Sequence, residues 1–250
     1  MALQGLNSAA LKAGDPEPAQ LERGKFRLYN MRFCPWAERA LLYAAAKGID
    51  VEIVNINLQD KPEWYFEKHY QGKVPTLEYN GKCVIESSLI PQFLDDLLPE
   101  NSILPKDAYD RVHQKILAER NLAISTAFYG TLAALKDPGL REEKMATMNK
   151  ALDDAENLLK DTFFGGKSPS YADYLTFPFL ERTWWASHIE GVTGYDKTNF
   201  PCSKRFPKLT KWFNEMLARP EVAQNLMPVD TALAFLDGYR QGKPNYDEGI

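Results

Sequence analysis

The spacing of apolar positions changes period several times within the first hundred residues. Phe26, Leu28 and Asn30 alternate with Arg27 and Tyr29, which predicts a short strand. After Cys34-Pro35 the segment WAERALLYAAAKG is rich in alanine, leucine and arginine, so it predicts a helix, with Gly48 placed to end it. Val51–Leu58 is apolar on both alternating faces, the pattern of a strand covered on two sides. Residues 62–70 predict a short helix with Pro62 at its first position. The run VPTLEYNGKCVIE divides at Asn80-Gly81, a strong hairpin signal, and Ser87 or Ser88 is placed to cap the helix that follows, SLIPQFLDDLL. The order over 25–98 is β-α-β-α-β-β-α. Strand, crossover helix and strand imply a parallel pair, and the hairpin adds an antiparallel edge.

Strand patterning stops after PENSILPKD (99–107). Amphipathic stretches near 107–135, 139–160, 171–190, 206–219 and 229–240 predict helices, separated by Asp137-Pro138-Gly139, Gly165-Gly166, residues 191–200 and Pro220. Ser170 and Asp173 have the spacing of a capping box in front of a buried helix. Residues 1–24 carry Gly14, Asp15, Pro16, Pro18 and Gly24 without periodicity and read as an extended arm. The expected organisation is an N-terminal extension (1–24), an α/β domain (25–104) and an all-helical domain (105–250).

Composition narrows the class. The chain has 250 residues, 44% apolar and 26% charged, as in an ordinary globular protein. A net charge of −4 without a basic block argues against a nucleic-acid partner. No run approaches the ~20 apolar residues of a membrane-spanning helix, and the opening segment lacks the basic start and apolar core of a secretory signal. Three cysteines argue against a disulfide framework and for a reducing, cytoplasmic compartment. His69, His113 and His188 lie far from one another and from the cysteines, so no metal is expected. His69 and His113 read as structural residues on polar, surface-like segments. Cys83 reads as a small strand hydrophobe and Cys202 as an exposed loop thiol.

The chemistry gathers at Cys34. A cysteine between a strand and a Pro-initiated helix sits at the helix N-cap, where unpaired amides and the positive end of the helix dipole meet the sulfur. Such placement favours the thiolate and lowers a cysteine pKa from ~8.5 toward ~3.5–7.5; the plain alternative is a small buried thiol. Arg32 and Arg39 are close in sequence, but their directions are open. Ala37, three residues on, is not a second cysteine, so a mixed disulfide at Cys34 must be resolved by a thiol from solution. Val74-Pro75 precedes the hairpin; a cis bond there would turn the Val74 carbonyl and N–H toward a bound peptide, whereas base rates favour trans. Glu86-Ser87 at a helix start suits an ammonium and a carboxylate, or is simply a helix cap.

The segments RFCPWAER, KPEW, VPTLE and IESS, with FFGG, SYADYL, FPFLER and the closing NYDEGI, resemble the omega-class glutathione transferases from about Phe26 onward. Trp36 stands where that class often has phenylalanine. The resemblance implies a thioredoxin-like N-terminal domain, an all-α C-terminal domain, a homodimer, and glutathione as co-substrate. It also implies glutathione-dependent thiol transfer, dehydroascorbate and methylarsonate reduction, and weak conjugating activity toward small electrophiles. Carried over by position, Cys34 is the nucleophile, Lys61, Val74, Glu86 and Ser87 hold glutathione, and Trp36, Arg182 and Trp212 line a second-substrate pocket. Trp36 and Trp212 have core or interface packing as their alternative. A competing reading is a non-enzymatic or membrane-inserting relative of the intracellular chloride channel type. Glu38, Arg39 and Lys47 weigh against stable insertion, since a charge at mid-bilayer costs about 3 kcal/mol.

Overall fold

In the computed structural model, which describes residues 3–250, the chain forms two units, Met1–Ser102 with Asn245–Ile250 and Ile103–Pro244. The first is built on four strands, β1 (Phe26–Asn30), β2 (Val51–Asn55), β3 (Thr76–Tyr79) and β4 (Lys82–Ile85), in the order β2-β1-β3-β4. β1 pairs in parallel with β2 and antiparallel with β3, and β3 with β4 antiparallel. Helices α1 (Pro35–Ala46), α2 (Tyr65–Lys68) and α3 (Leu89–Leu97) complete it. Every residue of β1 is buried, as expected of a strand inside the sheet with both faces covered. The hairpin turns on Asn80 (φ 49°) and Gly81 (φ 74°), two consecutive left-handed residues matching the twist of the strands they join.

Residues 3–24 pack against this unit. The Gln4 carbonyl accepts from the Ile53 amide, and Leu11 exchanges bonds with the Asn55 carbonyl and the Asn57 amide, so the arm runs parallel to the outer side of β2. The buried Asn55 amide donates to the carbonyls of Gly5, Leu6 and Ser8, fixing the arm's turn. The last six residues depart from the expected 105–250 boundary, because Asn245–Ile250 belong to the first unit. Among the bonds that hold them there, Asp247 accepts from the Ala10 amide at 2.7 Å and the Glu248 carbonyl accepts from Arg32 at 2.6 Å.

The second unit contains α4 (Ala108–Lys136), α5 (Arg141–Leu158), α6 (Tyr171–Ser187), α7 (Pro207–Leu217), α8 (Pro220–Ala223) and α9 (Val229–Arg240). Its core surrounds α6, fifteen of whose residues, Tyr171–Thr183 with Trp185 and Ala186, are buried. The Ser170/Asp173 capping box forms as its spacing predicts. Asp173 has no exposed surface, and its two oxygens accept from the amides of Phe164, Gly165 and Ser170 and from the Trp212 indole. Burial outweighs these four bonds and pushes its pKa up to about 6. Among the described residues no helix is long and apolar enough to cross a membrane.

Candidate active site

Strand β1 delivers the chain into a turn, Met31–Cys34, closed by the Cys34 amide on the Met31 carbonyl at 2.8 Å. Cys34 then takes extended backbone angles (φ −81°, ψ 115°) and stands at the N-cap of α1, with Pro35 first in the helix. Proline suits that place because its ring fixes a helical φ and its absent N–H would have had no helical acceptor. The Cys34 carbonyl accepts the first helical bond, from Glu38, at 3.1 Å. Cys34 is 8% exposed and packs in one cluster with Tyr29, Ala37, Val54, Ile56, Tyr65 and Val74. Narrow exposure fits a guarded nucleophile and a core thiol alike.

The structure brings Val74 into this cluster, with Trp36 half-buried at its margin. The Val74-Pro75 bond is cis. Tyr65, fully buried beneath the same cluster, donates its hydroxyl to the Lys73 carbonyl at 2.7 Å and lies 3.2 Å from the Thr76 hydroxyl. It thereby ties the strand entrance around Val74 to α2. Burial pushes the Tyr65 hydroxyl far above its ordinary range, so it stays a donor at physiological pH.

Ser87 is buried where α3 begins, and Arg39 of α1 donates to its hydroxyl at 3.3 Å. The Arg39 guanidinium also lies 4.5 Å from the centre of the Trp36 ring, so one arginine joins the helix carrying Cys34 to Ser87. Sequence left Arg39's direction open; its burial, at 4% exposed, in an amphipathic helix was the missing clue. Glu86 has φ +74°, a conformation uncommon outside glycine. Its carbonyl accepts from Leu89 and Ile90, so the first turn of α3 closes on a backbone oxygen. Ser88, at the N-cap, makes no side-chain cap bond, unlike one of the two serine caps expected. Glu86's carboxylate is exposed beside the buried Ser87, a disposition that leaves it open to a cationic group. Lys61 is half-buried before α2, and its ammonium has no hydrogen-bond or ion-pair partner among the described residues.

Three expectations are corrected. Trp212 is fully buried inside the second unit, its indole donating to Asp173 at 2.7 Å and its rings against Phe164 and Phe177. A side chain with no exposed surface cannot line an open pocket, so packing is its role. Arg182 is 3% exposed, paired with Glu181 and stacked over Trp185 at 4.1 Å, and is likewise a core cation. His69 is buried rather than on the surface, accepting from the Gln71 amide at 3.1 Å, and burial lowers its pKa. No disulfide links Cys34, Cys83 and Cys202. The Cys83 thiol is pushed up, first by partial desolvation of its sulfur and then by Glu78.

Two family profiles match the chain: the glutathione S-transferase N-terminal domain over residues 24–96 and the glutathione S-transferase C-terminal domain over residues 122–220. The glutathione transferase omega-1 of Caenorhabditis elegans is 48% identical over 251 residues, covering 100% of each chain. The glutathione S-transferase omega-2 of Homo sapiens is 34% identical, covering 99% of this chain and 100% of its own. Among solved structures, glutathione transferase Omega 3C from Trametes versicolor superposes with a TM-score of 0.71 at 20% identity, over 88% of this chain and 94% of that one, a likeness of fold.

Proposed function

The chain belongs to the omega-class glutathione transferases, and from that membership we propose that it is a glutathione-dependent thiol transferase and dehydroascorbate reductase acting through Cys34. The observation that carries this reading is the placement of Cys34: the N-cap of a Pro-initiated helix, in the same cluster as Val74. The positive end of the α1 dipole favours the thiolate that such chemistry requires. Val74 offers backbone groups to the cysteinyl part of glutathione, Lys61 a cation to one carboxylate, and the Glu86-Ser87 pair groups for the γ-glutamyl ammonium and carboxylate. Trp36, packed against the cluster that holds Cys34, is the residue for the second substrate.

In thiol transfer, the Cys34 thiolate attacks the glutathionyl sulfur of a mixed disulfide. A Cys34–glutathione disulfide forms, and the substrate leaves as a thiolate that takes a proton from solvent. A second glutathione thiolate attacks the glutathionyl sulfur, forming glutathione disulfide and restoring Cys34. With dehydroascorbate, Cys34 first adds to a carbonyl. Glutathione thiolate then attacks the Cys34 sulfur: a Cys34–glutathione disulfide forms, and the C–S bond breaks with its electron pair leaving on carbon as the enediolate of ascorbate. A second glutathione resolves the disulfide as above, giving glutathione disulfide. With Ala37 in place of a second cysteine, the solution thiol is obligatory. Methylarsonate reduction uses the same thiolate, whereas in weak conjugation the sulfur of bound glutathione itself attacks the electrophile and displaces its leaving group. Glutathione and small oxidised or electrophilic molecules are the partners, a second copy of the chain completes a homodimer, and the cytoplasm is the compartment.

Cys34→Ala is expected to abolish dehydroascorbate reduction, and one glutathione should add to Cys34 on treatment with glutathione disulfide, read by intact mass and peptide mapping. Undiminished turnover, or labelling at Cys202 alone, would refute the assignment. Light scattering at micromolar concentration tests the dimer.

A further inference from the structure

Lys61 is half-buried, its ammonium has no partner among the described residues, and what leaves room for its stem is the absence of a side chain at Gly72. Gly72 is buried with φ +59°. A Cβ built there would stand 2.8 Å from Lys61 Cδ, 3.3 Å from Lys61 Cε and 2.9 Å from Phe66 Cε1, the first and last closer than real Cβ contacts come. The lysine stem and the phenylalanine edge therefore share a recess that only glycine leaves open.

The recess has a rigid floor. The Gly72 amide donates to the His69 carbonyl at 2.7 Å, and Tyr65 holds the next carbonyl, Lys73, also at 2.7 Å. The backbone at 72–73 is thus pinned to Tyr65 in α2 and to His69 just after it, while all three atoms that would meet a Cβ belong to side chains. A methyl group at 72 is relieved by swinging Lys61 and the Phe66 ring aside, not by moving the loop that leads to Val74.

We propose that Gly72 is a positioning residue that aims Lys61 at the anionic end of glutathione, an inference that rests on the reading of Lys61 as a glutathione contact. Losing one charge-assisted contact of a partly exposed lysine corresponds to about a tenfold weaker hold on the ligand. Glutathione KM, kcat with dehydroascorbate, and glutathione binding by calorimetry are measured for Lys61→Ala, Gly72→Ala and the double variant. Gly24→Ala serves as control, since Gly24 has φ +83° but nothing within 4 Å of a built Cβ.

Gly72→Ala is expected to raise glutathione KM about tenfold, as Lys61→Ala does, with kcat nearly unchanged. The double variant should match Lys61→Ala, and its melting temperature should recover relative to Gly72→Ala, because the shortened residue 61 vacates the recess. Gly24→Ala should leave KM unaltered. Unchanged KM in Gly72→Ala, or effects of the two substitutions that multiply in full, overturns the inference while leaving Lys61 as a ligand contact. Unchanged KM in Lys61→Ala overturns that reading of Lys61 and the role of Gly72 with it. If Gly72→Ala does not fold, a folded double variant with the KM of Lys61→Ala supports the inference, and an unfolded one overturns it.

Discussion

Arg39 shows how much of this site depends on a side chain that lies beside the reacting groups. It is buried, bonded to the Ser87 hydroxyl and stacked on Trp36. Arg39→Met keeps the stem that packs in α1 but removes the guanidinium, and a buried hydroxyl losing a charged partner costs roughly 2 kcal/mol. The expected outcome is a severalfold rise in glutathione KM together with a melting temperature lowered by about 5 °C, checked by steady-state kinetics and thermal unfolding. Arg39→Lys should recover charge without the planar stacking, and so restore KM only in part. The helix N-cap placement of Cys34 is legible in its strand–Cys–Pro–helix setting, because proline's fixed φ suits a first helical position. Trp212 could not be read in this way: an aromatic at helical spacing fits a core and a pocket equally, and only the carboxylate of Asp173, 39 positions earlier in sequence, decides between them. His69 was misjudged for a similar reason. Its neighbours Lys68 and Tyr70 are polar and exposed respectively, and a helix of four residues has too little periodicity to reveal which side turns inward.

Among the elements, α1 and α3 are locked at their far ends by an ion pair with no exposed side-chain surface. Lys47 bonds Asp95 at 2.8 Å and the carbonyls of Leu98 and Asn101 at 3.0 and 2.8 Å, and Tyr43 donates to the other Asp95 oxygen. Deleting one partner strands the other charge in the interior, so Asp95→Ala should cost about 3–5 kcal/mol and lower the melting temperature by about 10 °C. Lys47 reads in sequence as an ordinary polar residue near a helix end, since nothing local indicates that the chain after α3 returns to cover it. Helix α6 carries a second buried charge with a distinct pH signature. The Asp173 pKa lies near 6, above that of an unfolded aspartate, so the folded state binds the extra proton. The stabilisation linked to that proton is complete below about pH 4 and is lost as pH rises through about 6. Relative to Asp173→Asn, the native chain should therefore gain in melting temperature between pH 7 and pH 5. The variant itself should be less stable by about 3 kcal/mol, because an amide nitrogen cannot accept from the amides that one Asp173 oxygen serves. Thermal unfolding at the two pH values tests both. The box itself was evident in the serine–aspartate spacing; its coupling to Trp212 was not, for that contact is tertiary.

Taken as a whole, the chain begins and ends in the unit that bears the cysteine, and the helical unit lies between the two portions in sequence. Arg32, two residues before Cys34, is where those portions meet. It donates to the Glu248 carbonyl and to Asn7, and burial lowers its pKa against the opposing effects of Asp247 and Glu248. A chain ending at Pro244 should lose about 2 kcal/mol, seen as a lower unfolding midpoint in urea with little change in slope. Periodicity cannot foretell this return, because the tail has no helical or strand pattern and its bonds include the Glu248 carbonyl and the Asp247 carboxylate. The arm's pairing with β2 also determines how the protein would fail. Ile53 and Asn55 find their outer partners in Gln4 and Leu11. Proteolytic trimming past Leu11 would uncover a ribbon of unsatisfied peptide groups at that flank, an invitation to strand-by-strand stacking between molecules. The trimmed form would then be lost to insoluble aggregate with Cys34 itself unaltered.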